Sequence, residues 1–294
     1  MKVFIFFLLL TLAITANGQV GINTDGSQPD NSAILDAKST TKGFLPPRVT
    51  TTQMNAIASP AAGLMVYNTT LNSICWFNGT SWDIGTNRDG QNCGSVTYGG
   101  KTYNSIIIGM QCWMTENLNI GTAILEGQDQ TNNGTMEKYC YDNLVANCNV
   151  YGGLYQWAEM VQYLNGATNT TSWNPVPAGP VQGICPAGWH LPTDAEWVTL
   201  TSYLGGTGVA GGSMKETGTA HWLTPNTGAT NSSGFTAMPG GRAGVGLSSN
   251  AYLWSASEFI VVDAWARSLS YANAGVNLFD GNKLFGLSVR CLQN

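Results

Sequence analysis

Seven cysteines stand behind an apolar leader, and this combination limits the chain more than any other feature, because it fixes the chemical surroundings in which the fold closes. Met1-Lys2 is followed by an apolar run from Val3 to Leu10 that continues through Leu12, Ala13 and Ile14, with small residues at Ala16 and Gly18. A basic start, an apolar core of about 12 residues and small residues at −3 and −1 predict an export signal over residues 1–18, cleaved before Gln19. The core is shorter than the roughly 20 apolar residues that span a bilayer, and no later stretch reaches that length, so no transmembrane segment is expected. No cysteine near the cut is placed to carry a lipid. The expected localisation is secreted or cell surface, in an oxidising compartment where cysteines pair.

The cysteines lie at 75, 93, 112, 140, 148, 185 and 291, with no CxxC and only His190 and His221 to complete a metal set. Disulfides are therefore expected before zinc. Cys140 and Cys148 close a local loop, Cys185 and Cys291 tie the middle of the chain to its end, and Cys93 with Cys112 forms a third pair. Cys75 is left over, either free and buried or bridging to another chain.

Only 10% of residues are charged, against about 25% in average globular chains, which excludes a coiled coil and a charge-driven disordered chain. The formal net charge is −5 and no stretch is rich in Lys or Arg. Nucleic acid is excluded as a partner on that ground, for lack of an electrostatic footprint.

Residues 19–82 are rich in Thr, Ser, Asn, Pro and Gly and predict a separate β-rich segment, joined by a linker at 83–92 to a domain over 93–294. Within the first segment a short helix is expected over 51–57 and strands over 63–68 and 73–77, with Asn78-Gly79 as a hairpin turn. In the larger domain, 96–98, Gly99-Gly100 and 101–108 predict a hairpin continuing into 111–114. A helix is expected over 154–164 from the spacing of Leu154, Trp157, Val161 and Leu164. A second is expected after Thr193, which with Glu196 makes a T-x-x-E capping box and ends at Gly205-Gly206. Residues 205–250 read as a long Gly-, Ser- and Asn-rich loop region with few apolar anchors, followed by β-prone runs at 253–255, 264–269 and 286–291.

Motifs for chemistry are sparse. Gly206-Thr207-Gly208-Val209-Ala210-Gly211 fits GxGxxG, but a helix ends before it and none is expected to begin there, so dinucleotide binding is not expected. Ser39-Thr40-Thr41-Lys42 lacks partner motifs, and neither GxSxG nor HExxH occurs. Asp25, Ser27 and Asp30 lack the spacing of a calcium loop. No cofactor is expected; a structural calcium ion is left open, with no motif to support it. His190, in Gly188-Trp189-His190-Leu191-Pro192, reads as a packed histidine bonded to backbone rather than a general base. Asp194 and Glu196 suit the helix start, and Glu116 and Arg290 read as a buried ion pair or loop anchors. Aromatic faces among hydrogen-bonding neighbours suit a polar ligand such as a sugar, which makes Trp222, Asn231, Arg242, Tyr252 and Trp254 the ligand-binding candidates. Trp254 and Trp265 also fit core positions in β-prone runs, so Trp222 is the expected exposed platform.

Two resemblances follow from ordered motifs. Residues 20–24, 42–48 and 58–64 resemble the β-rich segment of surface and tail-fibre-like proteins of Bacteroidetes-type bacteria. Further along come Ile108-Gly109-Met110-Gln111-Cys112-Trp113-Met114-Thr115-Glu116-Asn117-Leu118, Tyr151-Gly152-Gly153-Leu154-Tyr155-Gln156-Trp157 and Cys185-Pro186-Ala187-Gly188-Trp189-His190-Leu191-Pro192-Thr193-Asp194-Ala195-Glu196-Trp197. Ser233-Gly234-Phe235-Thr236-Ala237-Met238-Pro239-Gly240-Gly241-Arg242, Trp254-Ser255-Ala256-Ser257 and Gly286-Leu287-Ser288-Val289-Arg290-Cys291 complete the series. In this order they resemble the Fibrobacter succinogenes major paralogous domain, which implies an exported or surface-associated bacterial protein. The same motifs are similar to the C-type-lectin-like fold of formylglycine-generating enzymes. That likeness implies an α+β architecture of two helices packed on a twisted, mostly antiparallel sheet with long loops, here preceded by the small β-rich module, with Cys185 and Cys291 joining the helix approach to the last strand. Those enzymes use two cysteines close together near the C-terminus, whereas Cys291 is the only one after Cys185, and the EPN and WND motifs of true C-type lectins are absent. Neither activity carries over.

The expected function is a non-catalytic surface module recognising a glycan or a surface protein through Gly/Asn-rich loops. The rival is an enzyme, a degenerate formylglycine-generating type or a polysaccharide-active hydrolase, with His190, Glu116 or Glu196 as acid/base. A third reading is a structural fibre subunit, a homotrimer through the N-terminal segment.

Overall fold

Four short strands, the first joined to the second through a helix and the rest linked by Asn- and Thr-containing turns, make the main sheet of the N-terminal unit in the computed structural model, which describes residues 19–70, 73–85 and 90–294. The expected leader and residues 86–89 of the expected linker lie outside the described residues. The sheet runs Arg48–Val49, Met65–Asn68, Ser73–Phe77, Trp82–Gly85, with the first pair parallel and the rest antiparallel. The Asn78 side chain holds the hairpin turn by accepting the N–H groups of Thr80 and Ser81, both at 2.8 Å. Helix Thr51–Asn55 starts in a capping box of Thr50 and Gln53 and turns Met54 onto Val66 and Cys75. Cys75 is thus free and buried within this small core, and burial pushes its thiol pKa up. Val20–Ile22 and Leu35–Ala37 form a separate parallel pair whose residues are mostly exposed. Contacts divide the chain into this unit, up to residue 86, and a second unit from residue 87 onward.

The second unit is mostly β with short helices. One sheet of seven strands runs Thr122–Ile124, Glu137–Tyr139, Leu154–Tyr155, Leu287–Ser288, Asn250–Ile260, Asp263–Ser270, Val276–Asn282. The other, of five, runs Trp189–His190, Leu292–Gln293, Gln111–Met114, Lys101–Ile108, Ser95–Tyr98. Alternation explains the expected hairpin: in Lys101–Ile108, Tyr103, Ser105 and Ile107 point inward while Thr102 and Asn104 face out. Two apolar cores result, one around Trp157, Trp173, Trp189 and Trp254, the other around Trp113, Trp197, Trp222 and Phe235. Three disulfides form, Cys93 with Cys112, Cys140 with Cys148 and Cys185 with Cys291.

Three local expectations are corrected. The helix over 154–164 is instead a strand at Leu154–Tyr155, one turn at Trp157–Met160 and a 3₁₀ turn at Leu164–Gly166. Leu154 is drawn into pairing with Tyr139 and Ser288, and Gln162 and Tyr163 adopt positive φ of 56° and 52°, which ends any helix. Asp194–Tyr203, with its capping box formed, is the longest helix among the described residues. A short helix, Ala210–Met214, does begin inside the GxGxxG letters. Its glycines serve contact rather than phosphate: a Cβ on Gly211 would stand 2.2 Å from the Gly275 carbonyl. The region 205–250 also carries more core than expected, since Met214, Trp222, Phe235 and Ala237 are all buried.

Candidate functional site

The five candidate ligand residues are not brought together. Trp222 is 1% exposed and donates its indole N–H to the Ala237 carbonyl at 3.0 Å, so it fills the second core and is not an exposed platform. Its neighbour is the fully buried Lys215, whose ammonium donates to the carbonyls of Thr227, Ser270 and Asn273, with its pKa pushed down to about 8 by burial. Trp254 is buried and donates to the Tyr155 carbonyl at 2.8 Å. The Asn231 amide is spent within its own turn, donating to Thr236 Oγ1 and accepting the Thr236 N–H. Arg242 and Tyr252 remain half-buried, the first with its guanidinium 4.3 Å from the Phe285 ring, the second edge-on to Phe279. Trp265 is half-buried and lies against the exposed Phe259 at 4.4 Å, outside both cores.

A cleft of about 420 Å³ opens elsewhere, between Trp173, Val176 and Pro177 on one wall and Ser257, Glu258 and Phe259 on the other. This size lies in the range of small-ligand sites. Its walls are held from beneath. Trp173 stands edge-to-face on Trp157 at 4.7 Å, and Trp157 donates to the Ser255 carbonyl at 3.1 Å. Lys283, wholly buried, places its ammonium 4.2 Å from the Trp157 ring and bonds Glu258 at 2.5 Å and the Val261 carbonyl at 2.8 Å. Ser257 Oγ accepts the Asp194 N–H at 3.0 Å. Phe259 lines the cleft and is about half exposed, as are Ile260 and Val261, which follow it at the end of the hairpin. A mixed surface of aromatic faces and fixed polar groups suits recognition of a ligand that is part apolar and part hydrogen-bonding. Sequence reading missed these residues, although Trp173-Asn174-Pro175-Val176-Pro177 sets apolar residues among prolines and Phe259-Ile260-Val261-Val262 is an unbroken apolar run.

The model of the Fibrobacter succinogenes major domain matches residues 106–293, well over half of the chain. The chain belongs to this family. A second model, described as a phage tail like trimerisation region, matches residues 21–97. No curated protein and no solved structure matches the chain.

Within the Fibrobacter succinogenes major domain the groups suspected of acid/base work are tied to one another. His190, 4% exposed, meets Asn294 Oδ1 at 2.7 Å through Nδ1 and Glu196 Oε1 at 2.9 Å through Nε2, so its partners are side chains rather than the expected backbone. Glu196 Oε2 accepts the Thr193 N–H and hydroxyl, completing the cap, and Asp194 pairs with Arg267 at 2.6 Å. Glu116 bonds the Asn104 N–H and side-chain amide, so Glu116 and Arg290 anchor loops and do not pair with each other. His221 is held through Nδ1 by Glu216 at 2.9 Å beside the Tyr151 ring. Such a pair orients an imidazole, but among the described residues no nucleophile is hydrogen-bonded to its other nitrogen.

Burial opposes charge on His190, yet the bonds to Glu196 and Asn294 outweigh it and raise its pKa. For Glu196 burial pulls upward, and the bonds from His190 and Thr193 prevail and lower its pKa. The signs define a window. Glu196 stabilises the fold above its unfolded pKa and loses this as pH falls through its depressed folded value; His190 stabilises below its unfolded pKa of about 6.5 and loses this as pH rises through its raised folded value. Chemical unfolding at a series of pH values is expected to show stability declining across the alkaline side of neutrality in the wild type, and a flatter profile there in His190→Gln. Parallel profiles would refute the assignment of charge to His190.

Proposed function

We infer that the chain is an exported, non-catalytic surface module in which the N-terminal segment assembles three copies and the Fibrobacter succinogenes major domain, on a C-type-lectin-like scaffold, recognises a glycan or a surface protein. The observation that carries this reading is the segment matched as a trimerisation region. In it Ile34, Phe44 and Leu45 are 83%, 72% and 73% exposed, an apolar display that a single chain leaves in water and a trimer covers. The cleft at Trp173 and Phe259 supports recognition by the larger domain, where loops stand on a doubly cored, disulfide-tied body. The enzymatic rival loses ground because His190, Glu116 and Glu196 are each engaged in structural bonds. The reading requires no cofactor, and no helix among the described residues is long and apolar enough to cross a membrane.

Native mass spectrometry and light scattering of the exported chain are expected to give three times the monomer mass, and Phe44→Asp with Leu45→Asp to shift it to the monomer. A monomer at all concentrations would end the assembly reading. For recognition, a glycan array probed with the wild type and Phe259→Ala, which alters an exposed side chain, is expected to show binding that the variant loses; binding to no glycan would leave surface proteins as the ligands.

A further inference from the structure

Glu159, in the helical turn Trp157–Met160, is 1% exposed, yet only half of its carboxylate is satisfied. Oε1 accepts the Glu137 N–H at 2.9 Å, while Oε2 has no hydrogen-bond partner. The Tyr163 hydroxyl lies beside it, also buried, and pulls on the carboxyl without reaching a hydrogen bond of normal geometry, and neither atom has another hydrogen-bond partner. Both line a small cavity of about 70 Å³, with Thr131, Asn132, Thr135 and Gln162 around it. By the roughly 10–15 Å³ that one water requires, this holds a few water-sized groups and not a ring.

An orphaned carboxylate oxygen needs a donor, and the charge around it selects the donor's sign. Glu137 stands on the adjoining strand, 9% exposed, with its oxygens already bonded to the Thr131 N–H and the Asn133 amide. Among the described residues no basic side chain forms an ion pair with Glu159 or Glu137. Burial pushes the Glu159 carboxyl up, and the charge of Glu137 adds to this. A neutral occupant would leave Glu159 to take up a proton, whereas a cation with several N–H donors would offset the charge of Glu137, keep Glu159 ionised and meet its free oxygen. A divalent metal, which takes about six oxygen ligands or more, is less well served by one free carboxylate oxygen and a phenol.

We propose that this cavity binds a primary ammonium group carried by an amino sugar, its N–H bonds directed to Glu159 Oε2 and the Tyr163 hydroxyl. The rim selects the carrier. Hydroxyls and amides of Thr131, Asn132, Thr135 and Gln162 meet sugar hydroxyls, whereas a lysine side chain would need apolar surface for its methylene stem. The proposal rests on the glycan-recognition reading and names a sugar class for it, at residues other than those lining the Trp173 cleft.

Calorimetric titration of the full chain with glucosamine, N-acetylglucosamine and n-propylamine tests it, repeated on Glu159→Gln and Tyr163→Phe after circular dichroism confirms folding. Glucosamine is expected to bind saturably, with N-acetylglucosamine about tenfold weaker or worse, since acetylation removes the charge and donors, the scale of a lost charge-assisted hydrogen bond. Glu159→Gln is expected to lose about tenfold or more for glucosamine alone. Tyr163→Phe is expected to narrow the preference for glucosamine over N-acetylglucosamine, which keeps the test available if the Gln variant does not fold. Equal binding of the two sugars, absence of glucosamine binding, or unchanged binding in Glu159→Gln overturns the site. Propylamine binding as tightly as glucosamine overturns the amino-sugar carrier. Loss of this site with glycan binding retained on the array would leave the broader reading standing, so the two failures are distinguishable.

Discussion

Arg290→Met is expected to lower the stability of the C-terminal unit by about 3 kcal/mol or more, since it strands three buried acceptors at about 1–3 kcal/mol each. Arg290 is wholly buried beside Cys291. Its Nε and Nη2 donate to Asn117 Oδ1 at 3.2 and 2.9 Å, Nη1 donates to the Phe235 carbonyl, and Nη2 also reaches the Thr236 carbonyl at 3.3 Å. The guanidinium carbon sits 4.1 Å from the Phe235 ring. Burial drives its pKa down to about 9, against an opposing pull from Glu116. Methionine would fill much of the volume but leave three acceptors on two segments, Asn117 and Phe235-Thr236, unpaired in an apolar surrounding, which is the costly half of hydrogen-bond energetics. Lysine keeps the charge without the planar fork and is expected to fall between the two. Urea unfolding followed by tryptophan fluorescence measures the order; a methionine variant within about 1 kcal/mol of wild type would show that the network is not what holds the loop 233–242 to the last strand.

Removing the Cys185–Cys291 bridge in a Cys185→Ala, Cys291→Ala double variant is expected to cost about 4–5 kcal/mol in the chain-entropy model, because it frees a loop with a sequence separation of 106. The Cys140–Cys148 bridge, with a separation of 8, is expected to contribute nearer 2–3 kcal/mol. The contrast is the informative quantity, and unfolding of the two double variants under non-reducing conditions gives it. Equal losses would mean that packing around Cys185 and Cys291, both about fully buried, already restrains the unfolded chain or replaces the bridge.

Much of the local structure is legible in the chain because its signals act between neighbours. Alternation in Lys101–Ile108, the Asn78-Gly79 turn and the Thr193/Glu196 cap need only a few residues to express themselves, and each stands where expected. Residues 154–164 fail the same test because helical spacing is a weak preference, outweighed once Leu154 finds strand partners at Tyr139 and Ser288. The candidate site was less legible. Trp222 reads as exposed from its Pro-, Asn- and Gly-rich neighbours, but a chain segment without regular structure can still wrap a core, as Met214, Phe235 and Ala237 do around it. The cleft joins residues 173–177 to 257–259, and the Glu159 cavity joins 131–135 to 159–163; neither has a signature in one stretch of chain.

The sequence by itself carried the three cysteine pairs and the hairpins, which follow from spacing and short-range preference, and the family, which follows from the resemblance of its ordered motifs. Only the tertiary structure decided the fate of the charges. Lys215, Arg267, Lys283 and Arg290 are buried in a chain that has just 12 basic residues, and all four are held largely or partly by backbone carbonyls. A buried cation is tolerable only where distant segments converge to replace its water, and that convergence is a property of the folded chain, not of any window along it.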